Sequence, residues 1–167
     1  MKKILFLHGL ESEGVKKTRH LATKGLVYAP HIDYEENPGN IFNETLELVK
    51  ELKPDLIVGS SLGGYFAEKL ATHVKTEVLL FNPATINEWT YYDNMDIETT
   101  TGNEVVNGTV VIGTEDDIIN PVASGEYYIK NPNTKIHLVD MGHRTTTDVF
   151  RKYVAVALRN VVTNQEK

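Results

Sequence analysis

The fold is decided by residues 56–64, which read LIVGSSLGG. Residues 56–58 form a short apolar run, and a helical pattern occupies residues 62–74. An apolar run of this kind is typical of a strand that is buried on both faces. The small residues between the two contain the pattern G-x-S-x-G, as Gly59-Ser60-Ser61-Leu62-Gly63. In this context the pattern predicts a sharp strand–turn–helix junction.

Ser61 lies at the tip of this junction, where its hydroxyl would project above the edge of the sheet. Gly59 and Gly63 are needed because larger side chains would collide there. The helix that follows directs its N–H groups and the positive end of its dipole towards the same point. We therefore predict that Ser61 is a nucleophile and that Ser60 supports the turn. A junction without chemistry is one alternative. A phosphate-binding loop is another, but its lysine and the G-x-G-x-x-G pattern are absent.

Strand and helix patterns alternate along the rest of the chain. Apolar runs predict further strands at residues 4–7, 26–29, 78–81, 109–112 and 136–139. Helical patterns between them predict helices at residues 15–21, 41–52, 122–129 and 147–158. The alternation predicts an α/β fold with a central, mostly parallel sheet of about six strands and helices on both faces. We expect one domain over residues 1–167.

Residues 84–108 interrupt this alternation. They contain Trp89, Tyr91 and Tyr92, followed by a polar stretch that is unlike a core helix. Connections of this length often form lids or other functional loops. We predict a lid or long loop here, with its aromatic residues and Tyr65 near a substrate pocket. Core packing of these aromatic side chains is the alternative.

Composition excludes several classes of function. The chain carries a net charge of −6 and its basic residues are dispersed, so nucleic acid is not an expected partner. The absence of cysteine excludes thiolate metal sites and a cysteine nucleophile. No apolar run approaches a membrane span, and residues 4–7 are too short for the core of a secretory signal. We therefore expect a cytoplasmic protein without a membrane partner, and the oligomeric state stays open.

A serine nucleophile needs a base, and the base needs an acid that orients it. On this kind of fold the order along the chain is serine, acid, histidine. Asp116 and Asp117 directly follow the predicted strand at residues 109–112, where open α/β sheets place their sites, and Glu115 is a weaker candidate. Turn formation is the alternative role for these carboxylates. Of six histidines, only His143 follows the sixth predicted strand and precedes the last helix.

The loop after the first strand supplies the remaining part of the predicted site. Leu7, His8, Gly9 and Leu10 close that strand. We predict that the backbone N–H groups of Leu10 and Leu62 bind a developing oxyanion, where the loss of one donor costs roughly 3 kcal/mol. We expect His8 to be a structural turn residue. No metal or other cofactor is implied.

These motifs resemble the small YqiA-like esterases of the α/β-hydrolase superfamily. The shared pieces run in order along most of the chain: LHG at 7–9, VGSSLGGY at 58–65, NPA at 82–84, Asp116, and Gly142-His143. The resemblance implies a minimal α/β-hydrolase fold, activity towards small esters, and the roles of nucleophile for Ser61, acid for Asp116 and base for His143. The chain departs from that pattern at Leu10, where an aromatic residue is frequent, and at Met141.

The expected function is hydrolysis of short carboxylic esters through an acyl-enzyme, with a small-molecule ester as the partner. Thioesters, amides, lactones and polysaccharide acetyl groups are alternative substrates for the same residues. A non-catalytic binding protein on this fold is the alternative from a different class. The compact chain leaves little room for a large cap, so we expect an open site and a preference for small acyl groups.

Overall fold

A computed structural model describes residues 1–10, 12, 14–36, 38–86 and 107–165. Its six strands are β1 (Lys3–Leu7), β2 (Leu26–Tyr28), β3 (Leu56–Ser60), β4 (Glu77–Phe81), β5 (Gly108–Gly113) and β6 (Thr134–Val139). They form one sheet in the order β2-β1-β3-β4-β5-β6, in which every neighbouring pair is parallel. The predicted α/β fold class is confirmed.

The helices differ from the predicted ones mainly in length. They are α1 (Val15–Ala22), α2 (Pro38–Leu52), α3 (Leu62–Ala71), α4 (Pro121–Tyr128) and α5 (Thr147–Gln165), with a 3₁₀ turn at Ala84–Ile86. α3 is three residues shorter than predicted, because the N–H groups of Thr72 and His73 bond to carbonyls three residues back and tighten the last turn. α5 continues beyond residue 158, where Val161 extends its buried face.

The core has one layer on each face of the sheet. Along β1, Leu5 and Leu7 face a cluster that includes apolar residues of α2 and α3. The alternate residues Ile4 and Phe6 face the other cluster, which α1 and α5 cover. The period of two along the strand and the helices on both faces explain why the central strands read as continuous apolar runs.

A buried carboxylate connects three elements on one side of the molecule. Glu68 of α3 is only 4% exposed. Its Oε2 accepts hydrogen bonds from the hydroxyls of Thr85 (2.6 Å) and Tyr128 (2.7 Å), and its Oε1 accepts one from Tyr127 (2.9 Å). These bonds attach both the 3₁₀ turn and α4 to α3.

The predicted lid or long loop falls largely outside the described residues. Residues 87–106, with Trp89, Tyr91 and Tyr92, are not among them. The described part of the segment begins with the 3₁₀ turn and rejoins the sheet at β5. No helix in the described part of the chain is long and apolar enough to cross a membrane.

Candidate active site

The strand–turn–helix junction lies at the centre of the sheet, between β3 and α3. Ser61 occupies the turn with φ 54° and ψ −120°, a strained conformation for a residue with a side chain. A Cβ atom on Gly59 would lie 2.6 Å from both the Gly63 carbonyl oxygen and the Gly64 Cα. One on Gly63 would collide with the Leu7 carbonyl. The two glycines therefore let the elements approach closely enough to form the turn.

The structure brings Ser61, His143 and Asp116 together. Nε2 of His143 lies 3.0 Å from Oγ of Ser61. Nδ1 of the same ring lies 3.0 and 2.9 Å from the two carboxylate oxygens of Asp116. An ionised Asp116 accepts only from a protonated Nδ1, which leaves the lone pair of Nε2 for the serine proton. The arrangement can therefore act as a nucleophile with its general base.

Asp116 is the carboxylate that the fold directs at His143. It is 8% exposed, and its Oδ1 also accepts the N–H groups of Ile118 (2.9 Å) and Ile119 (2.8 Å). These bonds fix the rotamer of the side chain. The neighbouring candidates Asp117 and Glu115 are exposed. Of the alternatives that the sequence leaves open, only Asp116 is in contact with the histidine.

Asn82 is a site residue that sequence reasoning missed. It follows β4, is 2% exposed, and has a positive φ of 42°. Its Oδ1 accepts the N–H of Gly113 (2.7 Å), and its Nδ2 donates to the carbonyls of Gly142 (3.1 Å) and His143 (2.7 Å). One amide thus holds the histidine loop against the end of β5. The available signal was the NPA motif at 82–84, which the family resemblance includes without giving Asn82 a role in the site.

The two residues predicted to bind an oxyanion through their N–H groups belong to segments that meet at Ser61. Leu62 is the first residue of α3, and N–H groups in a first helical turn have no partner within the helix. Leu10 follows Gly9, where an added Cβ would lie 3.2 Å from the Cβ of Ser61 and 3.3 Å from the Ser60 carbonyl oxygen. The β1 loop therefore passes directly against the junction. Oxyanion binding by these two groups stays a prediction.

His8 holds this loop in place. It is 5% exposed, and its Nε2 accepts the N–H of Ile32 (3.0 Å). Its Nδ1 lies 2.7 Å from the Gly9 carbonyl, which requires the proton on Nδ1. Its own carbonyl accepts the hydroxyl of Tyr34 (2.6 Å). These bonds give His8 the structural place in the turn that we expected.

The other sequence-predicted residues fall in different surroundings. Tyr65 is 8% exposed and packs in the cluster under α2 and α3, edge-on to Phe66. Trp89 and Tyr91 lie outside the described residues. Ser60 accepts a hydrogen bond at Oγ from Nζ of Lys17 (3.2 Å). The predicted substrate-pocket role of the aromatic residues stays a prediction.

An open cleft borders the loop that carries Leu10. Its volume is about 380 Å³, and His8, Leu10, Ser12 and residues 31–35 line it. The described residues contain no group of three or more histidines and carboxylates that could hold a metal ion.

The parallel sheet and the strand–serine–helix junction define the α/β-hydrolase class of fold. Within this class, the chain belongs to the uncharacterised protein family UPF0227, whose model matches residues 3–116. The match includes Ser61 and Asp116 and ends before His143. No curated protein matches the chain.

Solved structures of low sequence identity share the fold. A protein of Xanthomonas campestris pv. campestris, assigned to the alpha/beta superfamily of hydrolases, is 18% identical with a TM-score of 0.73, covering 95% of this chain and 98% of that one. Est1E from Butyrivibrio proteoclasticus, solved with ferulic acid bound, is 13% identical with a TM-score of 0.71, covering 95% and 90%. The esterase EaEST from Exiguobacterium antarcticum is 12% identical with a TM-score of 0.68, covering 96% and 92%.

Proposed function

We propose that this protein is a serine hydrolase that cleaves short-chain carboxylic esters through an acyl-enzyme. The observation that carries the proposal is the continuous contact from Ser61 through His143 to the buried Asp116, with distances of 3.0 and 2.9 Å. The esterase activity in the name of EaEST and the ferulic acid bound to Est1E, on the same fold, support an ester as the substrate.

The first half of the reaction forms the acyl-enzyme. Oγ of Ser61 attacks the ester carbonyl carbon while Nε2 of His143 takes the serine proton. The buried carboxylate of Asp116 stabilises the resulting imidazolium and does not itself take up the proton. The N–H groups of Leu10 and Leu62 bind the oxyanion of the tetrahedral intermediate. As the intermediate collapses, His143 returns the proton to the leaving alcohol.

The second half releases the acid by the same groups in the same order. His143 accepts a proton from water as the water oxygen attacks the acyl carbon. A second tetrahedral intermediate forms at the same N–H groups. Its collapse breaks the bond to Oγ of Ser61, which regains its proton from His143. Neither half of the reaction involves oxidation or reduction. The residues described above, together with water, account for every proton that moves and every bond that forms or breaks.

Labelling with a fluorophosphonate probe tests the proposal directly. The wild type is expected to be labelled at one serine, and Ser61→Ala is expected to lose all labelling because the attacking oxygen is gone. Ser60→Ala is the matched control and is expected to reach the same final extent of labelling as the wild type. A folded wild type that is not labelled would contradict the proposal and favour a binding protein on this fold.

The acyl preference is tested with a series of p-nitrophenyl esters. We expect acetyl and butyryl esters to be cleaved with a higher kcat/KM than the octanoyl ester, in line with the proposed preference for short acyl chains. A clear preference for octanoyl would show that a long acyl chain has its own binding site. In that case the assignment to short-chain esters would be wrong, while the serine mechanism would stand.

A further inference from the structure

Lys17 is an unusual residue in the first turn of α1. Its Nζ donates to Oγ of Ser60 (3.2 Å), the residue directly before Ser61, and lies 5.6 Å above the ring of Phe150 in α5. Among the described residues, no carboxylate lies within ion-pair distance of this ammonium. Burial lowers the pKa of Lys17 to about 8. The side chain is thus a partly buried cation that contacts a hydroxyl and an aromatic ring.

A cation in this position opposes folding. Removing an ammonium from water costs free energy that a hydroxyl and a ring face repay only in part. A methionine would fill the same space next to Phe150 without that cost. Residues that reduce stability in this way are concentrated at functional sites, where the strained or charged group serves the chemistry. The position of Lys17 beside the junction therefore points to a role in the site.

The path of the chain suggests what that role is. The loop from β1 to α1 passes against the junction at Gly9, where an added Cβ would lie 3.3 Å from the Ser60 carbonyl oxygen and 3.2 Å from the Cβ of Ser61. The same loop leads into α1, where Lys17 bonds to the Ser60 hydroxyl. The segment that carries Leu10 is therefore attached to the junction on both sides. The other predicted N–H donor, Leu62, belongs to the junction itself.

We propose that Lys17 is a positioning residue, which acts through the Ser60 hydroxyl to hold the loop of Leu10 at a fixed distance from Leu62. This inference rests on the proposed function, and it adds a residue that touches neither the substrate nor the reacting atoms. Two N–H donors at a fixed separation match an oxyanion better than a planar carbonyl. Loss of the hydrogen bond should therefore lower kcat and leave KM unchanged.

A double-mutant cycle tests whether Lys17 acts through Ser60. Lys17→Met and Ser60→Ala are each expected to lower kcat for p-nitrophenyl acetate by about tenfold, the effect of removing one hydrogen bond to a charged group. The double variant is expected to be no slower than the slower single variant, because the two residues share one bond. Ser60→Thr keeps a hydroxyl and is expected to restore most of the rate.

Stability measurements separate positioning from a structural role. Lys16 is exposed on the same helix, and Lys16→Met is expected to leave kcat unchanged. Lys17→Met is expected to be at least as resistant to urea as the wild type, although it is slower. If it does not fold, Ser60→Ala and its rescue by Ser60→Thr carry the test alone.

Two outcomes would overturn this inference. The first is a Lys17→Met or Ser60→Ala variant with the kcat of the wild type. The second is a double variant whose fold loss in kcat is the product of the losses in the two single variants. Fluorophosphonate labelling distinguishes these from a failure of the proposed function. If the wild type is labelled at Ser61 and the variants behave in either of these ways, only the role of Lys17 is contradicted. If the folded wild type is never labelled, the hydrolase proposal fails first.

Discussion

At the residue scale, Asn82 shows how much of the site depends on one buried amide. Its three hydrogen bonds join the end of β4 to β5 and to the histidine loop. Asparagine also tolerates the positive φ of this position better than most residues. The orientation of His143 therefore depends on a side chain that takes no part in proton transfer.

We predict that Asn82→Ala lowers both stability and activity. The substitution leaves a buried N–H group and two carbonyls without a partner, which costs about 2–4 kcal/mol in the free energy of unfolding. It also frees the histidine loop, so kcat should fall even where the variant is fully folded. Urea unfolding and ester hydrolysis below the unfolding transition measure the two effects. Wild-type kcat in a destabilised variant would contradict the link to His143.

The two neighbouring aspartates provide a matched pair for the predicted acid. Asp116→Asn keeps an oxygen for the N–H groups of Ile118 and Ile119, so the turn should survive. It loses the charge that selects the tautomer of His143, and we expect kcat to fall on the order of 10²–10⁴-fold. Asp117→Asn is expected to have wild-type activity because Asp117 is exposed. Equal losses in the two variants would contradict the assignment.

The contact between Ser61, Asp116 and His143 could be predicted from the sequence because each follows a strand at the same edge of a parallel sheet. That geometry follows from topology, and the topology follows from the alternating pattern. Asn82 has no comparable signal, since its partners lie 31, 60 and 61 positions away. Lys17 reads as part of a solvated helix, because its sequence neighbours Lys16 and Arg19 are also basic. Only the packing of α1 against α5 shows that its ammonium is partly buried beside Phe150.

At the element scale, prediction was best for the buried strands and weaker at the edges of the sheet. The central strands are continuous apolar runs because both of their faces are covered. β2 has only three residues and is half exposed, since it lies at one end of the sheet. β6 lies at the other end, where Leu138 is 63% exposed. Edge strands lose the uniform apolar pattern because one side of each has no neighbouring strand.

The packing of α1 on α5 predicts a pH dependence of stability. The pKa of Lys17 is lowered from 10.5 to about 8, so between these values the unfolded chain binds more protons than the folded one. The free energy of unfolding therefore rises with pH from about 8 to 10.5. This gain in stability is lost as pH falls through 8. We expect Lys17→Met to lack this rise. Urea unfolding of both proteins at several pH values gives the difference.

Other titratable groups with shifted pKa values bear on how the pH dependence of stability is interpreted. His20 contacts the same Phe150 ring, and its pKa is lowered by burial and then by Lys24 and Arg151. It therefore titrates below the range in question. Burial raises the pKa of the Tyr34 and Tyr128 phenols, which opposes the effect of Lys17 at high pH in both proteins. If the free energy of unfolding depends on pH in the same way for the wild type and Lys17→Met, the lowered pKa of Lys17 is contradicted.

At the scale of the whole molecule, the Glu68 carboxylate joins parts of the chain that are distant in sequence. It attaches the start of the long connection, at Thr85, and the helix α4 to α3, the helix that follows Ser61. A buried carboxylate is tolerated here because hydroxyl donors contact both of its oxygens. The arrangement therefore fixes the 3₁₀ turn and α4 against α3.

Two adjacent tyrosines test this cluster. Tyr128 is 2% exposed and Tyr127 is 38% exposed. Tyr128→Phe removes a donor that water cannot replace, and we expect it to lower the free energy of unfolding by about 1–3 kcal/mol. Tyr127→Phe should cost less because Tyr127 lies at the surface, so less of its hydroxyl bond is shielded from water. Thermal unfolding of both variants, in which only a hydroxyl is deleted, measures the difference. A larger effect at Tyr127 would contradict this account.

The backbone conformation of Ser61 has a consequence for how such a chain changes over generations. Its φ of 54° and ψ of −120° suit a glycine, so a serine there carries strain of about 1–3 kcal/mol. A lineage in which the reaction had ceased to matter would gain stability by exchanging this serine for glycine, through a single permitted substitution. Selection for a stable fold alone would drive the position towards glycine. We therefore expect a serine to be retained at this position only while its hydroxyl is used.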